Sequence, residues 1–120
     1  MSILSALLSR LGLAPDKIQH FEGGLIVSLA GAVVGAVAGW YAAQLLRMPS
    51  ALLTPLMAAF GAVLSAGTAG VTKEGADWLD NRANPGQHEV SVWDAVATAA
   101  GCIPTLCLIA GLMRLLSGGL

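Results

Sequence analysis

Apolar residues run almost unbroken through three stretches of the chain, and the polar residues collect between them. From Phe21 to Leu46 the only charged side chain is Glu22, while Ala51 to Thr72 and Ala95 to Met113 carry none. At 1.5 Å per residue, segments of about 20 residues cross the roughly 30 Å of bilayer hydrocarbon. Turn and cap residues punctuate the pattern. Pro15 and Asp16 suit the first turn of a helix. Arg47-Met48-Pro49-Ser50 is a short turn that sends the chain straight back, with Ser50 as the expected N-cap. The second helix is predicted to run on to Asp80, before Asn84-Pro85-Gly86 breaks it. Ser91 followed by Asp94 reads as a capping box that opens the third span, and Pro104 should kink that span.

Met1 to Leu13 shows a shorter pattern. Ser2, Ser5, Ser9 and Arg10 lean to one side of a helix and Leu4, Leu7, Leu8 and Leu11 to the other. Its one basic residue follows the apolar part, the reverse of a signal peptide, so a helix lying at the membrane interface fits better. The predicted fold is therefore all-α: one membrane domain of three transmembrane helices with a short N-terminal interfacial helix. Its segments are the interfacial helix over 1–13, spans over 16–47, 50–80 and 91–116, a loop over 81–90, and a frayed tail from Ser117 to Leu120.

Composition supports the bilayer as solvent. The 120 residues are 56% hydrophobic and 11% charged, against about 25% charged in soluble domains. That leaves too few polar side chains to coat a globule of this size. With a net charge of −1 and no basic run, nucleic acid is excluded as a partner. Cys102 and Cys107 lie five apart on a helix and point in different directions, so they read as small packing residues.

Three crossings put the N-terminal helix and the second connection on one side of the membrane. Asp16, Lys17 and His20 then share a boundary with the whole stretch Lys73–Asp94, which holds more than half of the chain's charged and imidazole side chains. The opposite boundary keeps only Arg47 and Arg114. Arg10, Lys17, Lys73 and Arg82 outnumber those two, so the positive-inside rule points the polar boundary towards the cytoplasm of an inner (plasma) membrane.

Small residues recur at the spacing that lets helices approach closely. Gly31, Gly35 and Gly39 form a G-x-x-x-G-x-x-x-G ladder. On an ideal helix Asp16, His20, Gly23, Val27 and Gly31 share one face, from which Gly39 drifts away. Gly61, Ser65, Thr68 and Thr72 form a second stripe, and Ser91, Asp94, Thr98, Gly101 and Thr105 a third. A compact bundle is expected, with homo-oligomers as partners in the lipid bilayer.

The polar groups invite a chemical reading. Asp16 lies four residues before His20, where a carboxylate can orient an imidazole. Lys73 and Asp77 are spaced for an intrahelical ion pair, with Glu74 beside them. His20, Glu74, Asp77 and Asp94 are the candidate catalytic residues, as acid/base groups or as ligands of a divalent metal, with Asp16, Lys17, Lys73 and Ser91 around them. The bland alternative is a set of caps and anchors. His88 reads first as a residue of a solvated loop, with a place in the site as the alternative, and both alternatives stay open for Glu89.

The motifs D-K-x-x-H-F-x-x-G (Asp16–Gly24), K-E-x-x-D (Lys73–Asp77) and S-x-x-D-x-x-A-T-x-x-G (Ser91–Gly101) resemble the YfiM-like family of small bacterial and phage envelope proteins. More distantly they are similar to VanZ-like membrane proteins. The resemblance implies a shared polar set of Asp16, Lys17, His20, Lys73, Glu74, Asp77, Ser91 and Asp94, and no reaction. The chain departs from those YfiM-like members that are lipoproteins, since it shows no N-terminal cysteine for lipid attachment, and its anchorage is expected to come from the spans. Three functional classes follow: a structural or oligomeric membrane component, an intramembrane enzyme on a lipid-linked substrate, or an ion-conducting or holin-like oligomer.

Overall fold

Bulky side chains point outwards along this chain and small ones inwards, the reverse of a water-soluble core. The computed structural model describes residues 3–86 and 88–117; Ser2 and the tail beyond Ser117 lie outside them. The helices are α1 (Ile3–Arg10), α2 (Pro15–Leu46), α3 (Ser50–Ala83), α4 (Val92–Ala100) and α5 (Cys102–Leu116). Three units are long and apolar enough to cross a membrane: α2, α3, and α4 with α5. The chain is an all-α, multi-pass membrane bundle with a short N-terminal helix.

The packing shows why these helices associate. α2 buries Gly24, Ser28, Ala32, Gly35, Gly39 and Ala43, and α3 buries Ala58, Ala62, Ala66 and Gly70. Ile26, Val33, Leu45, Leu56 and Phe60 stay exposed. In lipid, burying a large apolar side chain gains little, so helices are held by close van der Waals approach across small residues. A Cβ at Gly35 would overlap the Met57 carbonyl, and one at Gly61 the Gly31 carbonyl.

The seam is rotated from the one the sequence indicates. Gly23 is open and Val27 is partly exposed, so the face Asp16–His20–Gly23–Val27 is the rim of the seam. On α3, Gly61 and Ser65 do meet Gly31, but Thr68 and Thr72 are exposed and the alanine row is buried instead. Gly39 stays in the interface. Buried positions on α3 step by four, longer than the 3.6-residue turn, so the seam follows a right-handed crossing rather than a straight line.

Element ends differ too. α1 stops at Arg10, and the chain turns at Gly12, whose φ of 81° favours glycine. Pro49, not Ser50, occupies the N-cap of α3, without a side-chain cap. α3 runs on through Ala83, shortening the loop expected at 81–90. The third span breaks between α4 and α5 at Gly101, three residues before Pro104. Proline has no N–H to bond the Ala100 carbonyl, and its ring crowds the preceding turn. α4 lies against both α2 and α3, whereas α5 diverges from them and buries only Thr105. Both cysteines are free, Cys107 exposed and Cys102 half-buried.

Candidate functional site

The starts of α2 and α4 and the end of α3 converge at one end of the bundle, as an odd number of crossings requires. There the ionisable groups form two clusters. In the first, the Lys17 ammonium donates to Asp94 Oδ1 at 2.5 Å and to Asp16 Oδ2 at 2.8 Å. His20 Nε2 stands 3.7 Å from Asp94 Oδ2, and its Nδ1 is 3.5 Å from the Thr98 hydroxyl. Thr98 in turn donates to the Asp94 carbonyl at 2.9 Å. Asp94 is 7% exposed, so its charge needs this lysine.

The expected pairing of Asp16 with His20 is not found. Asp16 lies on the exposed first turn and pairs with Lys17, while the rotation of α2 turns His20 towards α4, where Asp94 is its carboxylate. Nothing in a one-dimensional spacing reveals that Asp94, 77 residues beyond Lys17, is the carboxylate both Lys17 and His20 meet.

The second cluster sits on α3. Lys73 Nζ pairs with Asp77 Oδ2 at 2.6 Å, as its i,i+4 spacing predicts, and with Glu74 Oε1 at 3.3 Å. Glu74 is 9% exposed. Its Oε2 accepts the Ser91 backbone N–H at 2.7 Å. This replaces the predicted capping box: Ser91 is the N-cap of α4, but no side-chain cap bond forms. Asp94 is drawn to Lys17, and the N–H it would have served is satisfied from the neighbouring helix.

His88 also departs from its solvated-loop reading. It is 45% exposed, yet its Nε2 lies 2.9 Å from Asp80 Oδ2 and its Nδ1 3.9 Å from Asp77 Oδ1. Its backbone N–H and carbonyl are both held by the Asn81 side-chain amide. Asp80, which its spacing places on one helix face with Lys73 and Asp77, thus joins the edge of the site, and so does Asn81, whose i+4 offset from Asp77 was the available signal. Glu89 stands apart, exposed in the loop.

The direct contacts of the four candidate catalytic residues fall into three sets. His20 goes with Asp94, Glu74 with Ser91 and Lys73, and Asp77 with Lys73 and His88. Among the described residues no group of three His, Cys, Asp or Glu side chains is placed to hold a metal ion. The start of α4 joins the clusters, because Ser91 and Asp94 are one turn apart. Between them lies a groove of about 410 Å³ lined by Gln19, His20, Gly23, Val27, Ala69, Lys73 and Thr98. Deeper in the seam the Ser28 and Thr105 hydroxyls, 2.6 Å apart, bond to each other.

No family model, curated protein or solved structure matches the chain.

Proposed function

We propose that this is a structural component of a bacterial or phage envelope membrane, related to the YfiM-like group, whose polar cluster locks three helices in one register. One observation carries the reading: each buried carboxylate at the polar boundary is bonded to a different helix. Asp94 on α4 holds Lys17 on α2, and Glu74 on α3 holds the N–H of Ser91, the N-cap of α4. Buried ionic groups are costly in a membrane, and a register device is their best-attested structural use. Assembly of copies in an inner membrane belongs to the same reading.

The test separates structure from chemistry. His20→Ala, Glu74→Ala and Asp94→Ala are each assayed for thermal unfolding in mild detergent and for membrane abundance. Loss of both in the Glu74 and Asp94 variants supports the reading. Wild-type stability together with loss of a cellular phenotype overturns it.

A second reading keeps the groove beside His20 and Lys73 as a site for a lipid-linked substrate. There Asp94 would orient His20 as a general base and Lys73 would meet a phosphate. It is favoured by the imidazole opening into a cavity rather than being sealed in protein. The ion-conducting or holin-like reading needs a pore between copies, because the Thr98–Thr105 stripe is buried against α2 within one chain.

A further inference from the structure

The end of the bundle away from the polar cluster holds a second cavity, made by the break at Gly101. Because α5 diverges from α2 and α3, a space of about 660 Å³ opens between the three helices, within the roughly 300–1,000 Å³ range of ligand pockets. Its walls are apolar, from Leu29, Val33 and Ala58 to Leu108 and Leu112. Trp40, Ser50 and Ser117 line it towards the helix ends. The few polar residues in the wall are hydroxyl-bearing, Thr54 and Thr105 beside those two serines.

Charge marks the same end. Arg47 closes α2 and Arg114 lies in the last turn of α5, both exposed. Neither has an ion pair among the described residues. All the acidic residues, Asp16, Glu22, Glu74, Asp77, Asp80, Glu89 and Asp94, belong to the other end. α3 also starts here without a side-chain cap, leaving N–H groups that favour an anion.

We infer that this cavity binds an anionic phospholipid of the surrounding bilayer, one acyl chain between α5 and the α2–α3 pair and the phosphate at Arg47 and Arg114. Thr54 lies one turn inside the start of α3, on the wall that the upper part of the acyl chain would meet. Water is a poor occupant, since apolar cavities stay dry. A second copy is disfavoured by charge: two molecules in the same orientation would bring four arginines to one boundary with no carboxylate among them. The inference rests on the membrane assignment and is independent of the role given to the polar cluster.

The test is native mass spectrometry of the full chain released from nanodiscs containing equal phosphatidylglycerol and phosphatidylcholine. One retained phosphatidylglycerol per chain, displaced by salt, is the expected result. R47Q/R114Q should reduce its retention roughly thirtyfold, from about 1 kcal/mol for each of the two surface cations. Leu112→Trp, which narrows the cavity where the acyl chain would lie and leaves the arginines, should weaken retention. Unfolding of each variant is followed in parallel, so that a folding defect is separated from a binding defect; salt-sensitive selectivity of the wild type stands independently of both. Equal retention of the two lipids, insensitivity to both variants, or a lipid-free dimer overturns the proposal.

Discussion

The two ends of this bundle solve the same problem in opposite ways. At the polar boundary α2, α3 and α4 meet through backbone-to-backbone contact and cross-helix bonds, with each buried charge answered from a neighbouring helix. At the far boundary α5 swings away, leaving an open cavity and two arginines without an ion pair among the described residues. Stability should be concentrated at the first end and tolerance at the second. The helix break between them lets one span serve both purposes.

The contrast is sharpest in glycine. A Cβ at Gly24 would overlap the Thr98 carbonyl, whereas one at Gly111 on α5 meets nothing within 4 Å. Gly24→Ala should therefore destabilise the bundle by about 3 kcal/mol, and Gly111→Ala should be neutral or slightly stabilising. Denaturation in mixed micelles measures both; equal effects would erase the distinction between the ends.

Charge gives the next largest contrast. Asp94→Ala removes the partner of Lys17 and His20 and should cost about 2 kcal/mol, below a fully buried pair because Lys17 is partly solvated. Glu74→Ala, read in the same assay, should cost about 1–2 kcal/mol by orphaning the Ser91 N–H, while Glu74→Gln keeps an acceptor and should cost less than half as much. Arg114→Ala should change stability by no more than about 0.5 kcal/mol. A larger loss for Arg114 than for Asp94 would invert the assignment of the two ends.

Much of this arrangement was legible before any coordinates. The lengths of the apolar runs give three spans, and their odd number brings His20 and Asp94 to one boundary. The i,i+4 spacing gives Lys73–Asp77, and Pro104 announces the break in the third span. What the sequence withheld is rotation. An ideal 100° projection puts Asp16 beside His20 and carries Gly39 off the seam. The crossing of real helices keeps Gly39 buried and turns His20 towards α4. The link from Glu74 to Ser91 was hidden for another reason: a capping box is a local pattern, and a carboxylate from another helix leaves no trace in it. His88 joins the edge of the site through the Asn81 side chain, a contact set by a tight return of the chain rather than by any periodicity.

The ladder Gly31–Gly35–Gly39 is already occupied within the molecule, filled by the backbone of α3. A second molecule drifting up in the plane of the membrane meets Ile26, Val33 and Val37 instead, rounded knobs rather than notches. Contacts between such coats are shallow. Dilution into excess detergent should thus part neighbouring molecules long before it loosens the helices inside any one of them.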